Sequence, residues 1–301
     1  MQLYKILIVL GALLLAASVG AGETEAYING LEGLKCASIP PPGIYFRSYQ
    51  FWYAANEVKD GKGKNVPVGF DLDVVASAQR GIWVTDRIKD YIGGGNFGMH
   101  AVVPFVYSDV DMSRLGVHDQ RTRVGDIIVS PLLLSWNKKR FDLALDYELF
   151  IPIGDLDKSE PATLGKEFWT HQFSFGGTAY LDEKKTWSIS ILPRYEIHSE
   201  KRNAHVKPGN DFHFEWGVGK SFTQGFEVGA VGYCTWQVTG DKGSGVYWGH
   251  TNRDRVYAAG AEGNYFIKPI KLTASLRCMK EFGAVSRPEG LMTMLTFTKR
   301  F

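Results

Sequence analysis

From the fourth apolar-alternating segment onward, the connections between segments alternate in length. "NKKR" is short and "GDLDKSEPATLGKE" long, "DEKK" short and "EKRNAHVKPGN" long, "TQG" short and "GDKGSGVYWGHTNRD" long, and "KP" is short again. A soluble β-sandwich has no reason to sort its loops in this way. A barrel that crosses a bacterial outer membrane does, because its periplasmic turns are short and its outward loops longer. The first turn, "DRIKDYIGGG", is longer than that rule asks.

The segments themselves read as strands. Period-two alternation predicts twelve, over 44–55, 67–85, 92–107, 122–136, 141–153, 168–181, 185–198, 211–222, 225–238, 255–267, 270–281 and 291–301, with no amphipathic helix between them. An even count leaves both termini on the periplasmic side. The stretch "DFHFEWGVGKSF" shows the alternation well. Phe212, Phe214, Trp216 and Val218 share one face, and Asp211, His213 and Glu215 share the other. A membrane barrel turns such an apolar face to lipid and the polar face to a wet lumen. The fold class expected is therefore all-β, a transmembrane antiparallel up-and-down barrel of about twelve strands, in the outer membrane of a Gram-negative cell.

Aromatic residues fall where the two interfacial girdles belong. Trp136, Phe141, Trp187, Phe222, Phe226 and Tyr265 flank the short turns, and Trp169, Phe212, Trp236 and Tyr257 stand near the long loops. The chain ends "LMTMLTFTKRF", with Leu291, Leu295, Phe297 and Phe301 on one face. That ending resembles the C-terminal signature that delivers outer-membrane barrels to their assembly machinery, which makes this machinery and outer-membrane lipid expected partners. Lys299 departs from the signature, although a lysine there can snorkel to the interface.

The N-terminus, "MQLYKILIVLGALLLAASVGAGETEA", has a lysine, an apolar run too short to span a bilayer, and then small residues. This is a signal peptide by layout, residues 1–21, with cleavage as late as residue 26 as the alternative. Lys35 before Cys36 argues against a lipid anchor. Residues 22–43 contain three consecutive prolines and read as a stiff, non-helical segment that either lies in the periplasm or plugs the lumen. Residues 44–301 are the barrel.

A net charge of +2 gives no electrostatic footprint for nucleic acid. Three cysteines, Cys36, Cys234 and Cys278, form neither a disulfide framework nor a metal-ligand spacing. "GGGNFG" fits a dinucleotide fingerprint but runs into a strand where a helix is required. The acid pairs Asp109 with Asp111 and Asp155 with Asp157 read as solvated loop charges, since Glu160 stands where a calcium loop needs glycine. A lipase-like site would need a serine beside a histidine, and His171 and Ser174 have opposite parity. No catalytic residue, metal site or cofactor is expected. On the inner face parity places Asp142, His198, Asp211 and Lys271, with Asp146, Glu148, Arg194, Glu196, His213, Glu215, Glu262 and Arg277 as the pore-lining set. Those side chains form either a wall that selects solutes or a self-paired polar core.

The hairpin entry "PGNDFHFEWGVGKSF", the strand "LPRYEIHSEK" and the strand end "GYCTWQVTGDKGSG" resemble the bacterial outer-membrane "meta-pathway of phenol degradation" family, whose members are assigned as transporters. The resemblance implies passive uptake of small, aromatic or hydrophobic solutes and carries no catalytic residue with it. Two other readings stay open at this point: a non-conducting structural or surface-binding barrel, and a narrow porin for hydrophilic solutes.

Overall fold

The computed structural model describes residues 24–154, 166–202, 204–222, 225–246 and 253–301. The signal segment and the pair Asp155 and Asp157 lie outside these. Thirteen strands follow one another among the described residues. They are β1 (Gly43–Ala55), β2 (Phe70–Thr85), β3 (Asn96–Met112), β4 (Val117–Val124) and β5 (Ile127–Asn137), then β6 (Phe141–Ile151), β7 (Thr170–Tyr180), β8 (Trp187–His198) and β9 (Asp211–Ser221). β10 (Phe226–Gln237), β11 (Arg255–Ile267), β12 (Leu272–Val285) and β13 (Leu291–Arg300) complete the order.

Twelve of these strands close into an antiparallel barrel, each bonded to its neighbours in sequence, and β1 joins β2 on one side and β13 on the other. Phe51 is thus paired with both Ala76 and Met294. Closure leaves the twelve-stranded wall itself without a free edge, which a wall surrounded by lipid requires. The long first turn keeps its hairpin: β2 and β3 pair without a break from Phe70↔Met112 to Thr85↔Phe97.

The thirteenth strand, β4, overlaps the expected fourth strand, 122–136, at Thr122–Val124, and its first five residues lie outside every expected span. It pairs with the far half of β3, Phe105–Met112, while β5 pairs with the near half, Asn96–Val102. β4 and β5 are therefore two halves of one long strand, interrupted at Gly125 and Asp126. Pro104 on β3 faces the interruption. It has no N–H to offer a partner, and its carbonyl accepts the Gly125 N–H at 2.9 Å. The Asp126 carboxylate then ties the break to the neighbouring loop, accepting the N–H of Gly154 at 2.8 Å and of Lys166 at 3.2 Å. "VHDQRTRV" carries no apolar face because it projects beyond the closed wall. Without such a face a strand leaves no periodic signal. The same extension takes Asp109 and Asp111 out of the loop class, since both lie on β3 and flank His118 of β4 at 3.6 and 3.7 Å. Lys271 lies in the turn before β12, with φ of 48°, and not in the strand, yet it borders the interior on the short-turn side as expected.

Side chains sort by parity as the alternation requires. Trp83, Met99, Phe173, Phe175, Ile189, Ile191, Val218, Leu276 and Phe282 stand on the outside and are exposed, while their sequence neighbours are mostly buried within. One polar patch interrupts the apolar exterior. Ser48 and Gln50 of β1 lie across from Gln79 and Ser77 of β2, and both amides donate to these hydroxyls at 2.8–3.0 Å. Mutual bonding lowers the cost of holding such groups in an apolar medium. His171 is exposed and bonded to the Tyr147 hydroxyl at 2.8 Å, whereas Ser174 is buried, so the two face opposite sides of the wall.

Candidate functional site

The lumen is occupied by the chain's own N-terminal segment, residues 24–42, which makes its bonds to inward side chains of the barrel. Glu215 of β9 is its main seat. The Glu215 carboxylate accepts the backbone N–H groups of Gly30 at 2.8 Å, Leu31 at 3.0 Å and Glu32 at 2.9 Å, and the Tyr27 hydroxyl at 3.1 Å. Glu196 of β8 accepts the N–H of Ala26 at 2.8 Å and of Tyr27 at 3.0 Å. Glu262 of β11 accepts the Leu34 N–H at 3.0 Å and is paired with Arg277 of β12 at 2.6 Å, while Arg277 also donates to the Gly30 carbonyl. Bonds from N–H groups to an ionised carboxylate are the stronger kind, and here they satisfy backbone that a buried segment would otherwise leave unpaired.

Two glycines make this approach feasible. Gly33 adopts φ of +63°, and a Cβ there would meet Glu262 Oε2 at 1.8 Å. Gly217, which faces inward on β9, leaves room for the segment, since a Cβ there would come within 3.0 Å of the Gly33 carbonyl.

The segment also brings charge of its own. Glu32 bridges Arg80 of β2 at 2.6 Å and Arg47 of β1 at 2.7 Å. Burial alone would raise its carboxyl, but the two guanidinium groups outweigh this and hold it well below the usual carboxylate range. Arg194 of β8 lies over the Tyr27 ring, 4.2 Å from its centroid, and 3.6 Å from Glu215. Cys36 is buried against the Glu215 carbonyl, and burial pushes its thiol up to about 12.

All eight residues expected to line the pore point inward, and they fall into connected groups. Glu196, His213, Glu215, Arg194, Glu262 and Arg277 meet the N-terminal segment or a partner that does. His213 contacts Glu196 at 3.1 Å and stacks on Tyr27 with centroids 5.3 Å apart. Asp146 and Glu148 of β6 lie apart from these, around His100 of β3 at 3.0 and 3.4 Å, with Ser130 and Gln172 as further partners. Arg47, Arg80, His100 and Glu32 were not singled out from the sequence. Each of the first three sits at an inward position of its strand, so parity alone was enough to find them. Nothing local in the sequence marks Glu32 as their partner.

The segment divides the free space of the lumen. On the long-loop side lies a cavity of about 390 Å³, walled by Phe51, Val74, Ala76, Val106, Phe150 and Met292, with Lys166 and Arg287 among its few charges. Gly125, Asp126 and Pro104, at the break between β4 and β5, form part of the same wall. On the short-turn side a second cavity of about 650 Å³ is lined by polar and apolar side chains together, the polar ones including Arg47, Asp142, Asn264, Thr273, Thr296 and Arg300. Leu31 borders both.

A family profile described as "Putative MetA-pathway of phenol degradation" matches residues 55–297. Among solved structures, the fold is similar to an outer membrane channel from Pseudomonas putida F1, with a TM-score of 0.76 at 14% identity, covering 91% of this chain and 100% of that one. The CymD monoaromatic hydrocarbon channel is more distant, with a TM-score of 0.44 at 8% identity over 87% of this chain and 89% of that one. No curated relative matches the chain. A closed barrel with an apolar exterior, matched by this family, is an outer-membrane protein.

Proposed function

We propose, from the premise that this chain belongs to the phenol-degradation family, that it is an outer-membrane channel for passive uptake of small hydrophobic or aromatic solutes. The observation that carries this reading is the cavity of about 390 Å³ on the long-loop side, whose wall is dominated by apolar side chains, whereas the short-turn cavity has a larger share of polar ones. Its volume lies within the range of small-molecule sites, and such sites combine an apolar lining with a few polar groups. A hydrophilic solute would gain little from that lining.

The N-terminal segment serves as a plug in this reading. Of the pore-lining set, Arg194, Glu196, His213, Glu215, Glu262 and Arg277 seat the plug, and Asp146 and Glu148 wall the passage beside it. A seated segment narrows the route for ions and leaves the outer cavity open to an apolar guest. Binding of a fluorescent single-ring or two-ring aromatic to the folded protein in detergent tests the reading. Wild type should bind it, and Ala76→Trp, which fills the cavity from β2, should abolish binding while the barrel stays folded. Equal binding by both proteins would overturn the assignment of the cavity.

A further inference from the structure

On the long-loop side of the lumen, β8 and β9 present Glu196 with His198 and Asp211 with His213, two inward pairs at period-two spacing on neighbouring strands. His198 Nε2 lies 2.9 Å from Asp211 Oδ2 and 3.8 Å from Glu196 Oε2. One ligand atom from each of these three residues lies within 4.8 Å of the others, and all three side chains are buried. We propose that Glu196, His198 and Asp211 form a binding site for a single divalent transition-metal ion of the zinc class.

Three observations carry this. First, the spacing suits an ion. Imidazole nitrogen and carboxylate oxygen bind zinc at about 2.0–2.2 Å, so neighbouring ligand atoms of a tetrahedral site stand roughly 3.3 Å apart, and the two distances above bracket that value. Second, the histidine is oriented from behind. Thr170 Oγ1 lies 2.8 Å from His198 Nδ1, which fixes the ring and aims Nε2 at the two carboxylates. An outer partner on the second ring nitrogen is the usual support of a ligating histidine. His213 supports Glu196 similarly, at 3.1 Å from Oε1, while Oε2, which also accepts the Ala26 N–H at 2.8 Å, faces His198. Third, the cluster has unmet demand. Asp211 Oδ1 is buried with no hydrogen-bond partner, and among the described residues the bases within ion-pair distance of Glu196 and Asp211 are the two histidines. Two buried carboxylates without a fixed cation are costly, and a divalent ion neutralises both.

One imidazole and two carboxylates suit zinc, cobalt, manganese or ferrous iron better than copper(I), which prefers thiolate or thioether. Glu196 is shared with the N–H groups of Ala26 and Tyr27, so the ion fixes the carboxylate on which the first residues of the plug rest.

The test uses the untagged full chain, folded in detergent and stripped with a chelator, with Zn²⁺ titrated by calorimetry and Co²⁺ followed by its visible absorption. Wild type should take up an equivalent of Zn²⁺ that Asp211→Asn and His198→Gln lose, and Co²⁺ should show ligand-field bands that the same variants lack. Thr170→Val should weaken binding about 10- to 100-fold without removing a ligand. Folding of each variant is verified by its heat-dependent gel mobility, and Asp211→Asn, nearly isosteric, keeps the test intact if His198→Gln does not fold. No uptake of either ion by folded wild type, or uptake unchanged in Asp211→Asn, would overturn the proposal.

Discussion

Glu32 and Arg80, 48 positions apart in the chain, meet inside the barrel in a 2.6 Å ion pair, which joins the N-terminal segment to β2. This pair makes the seat of the segment sensitive to acid. The Glu32 carboxyl is held below its ordinary value of 4.5, so its stabilising effect is complete above that pH and is lost as pH falls toward the lowered value. Below 4.5 the docked segment should weaken by about 1.4 kcal/mol per pH unit relative to an undocked one. Single-channel current in planar bilayers should therefore rise as pH is lowered from 5 toward 3, and Glu32→Gln should show raised current already at pH 7. A wild-type current that stays flat over that range contradicts the ion pair's role.

Gly33 gives a second handle on the same segment. Its φ of +63° and the 1.8 Å that would separate a Cβ at this position from Glu262 Oε2 leave no room for a β-branched side chain. Gly33→Val should displace the segment and increase ion conductance, with the barrel still folded. Unchanged conductance would mean that the segment is not what limits the current.

Cys36 reports on docking chemically. Its thiol is buried and pushed up to about 12, so the reactive thiolate is scarce near neutral pH. In a Cys234→Ser, Cys278→Ser background, Cys36 should resist maleimide at pH 7 in the folded protein and react when Gly33→Val is added. Fast labelling without the glycine substitution would place the thiol in water.

The direction of the wall is tested from outside. Ile191 of β8 is exposed on the lipid face between Gly177 and Trp216, whereas Phe141 lies at the first position of β6, beside a short turn. Arginine at the bilayer midplane costs roughly 2–4 kcal/mol and near the interface about 0–1. Ile191→Arg should therefore lower folding stability in lipid vesicles clearly more than Phe141→Arg. Equal losses would contradict the depth assigned to the two strands.

Much of this architecture was legible because a membrane barrel writes its environment into period two. Phe212, Phe214 and Trp216 could be told from His213 and Glu215 with no knowledge of their neighbours, and the strand spans followed from the same alternation. The first residues of β4 escaped because neither face of that strand is apolar, and the alternation that marks a strand depends on an apolar face. The seat of the segment was half legible. Parity put Glu196, Glu215, Glu262 and Arg277 inside, but their bonds to Ala26, Tyr27, Gly30 and Leu34 span 169 to 247 positions, and no local pattern encodes such pairing. Three consecutive prolines, residues 40–42, announced a stiff approach to β1, not the path it takes.

If the apolar outer cavity carries hydrophobic solutes across the outer membrane, uptake by intact cells measures this most directly. Cells expressing wild-type protein should take up a labelled neutral aromatic hydrocarbon faster than cells without it, and Ala76→Trp, present and folded in the outer membrane, should bring the rate back to that of the empty strain. Uptake equal in all three strains, or undiminished by Ala76→Trp, would contradict a transport role for the cavity.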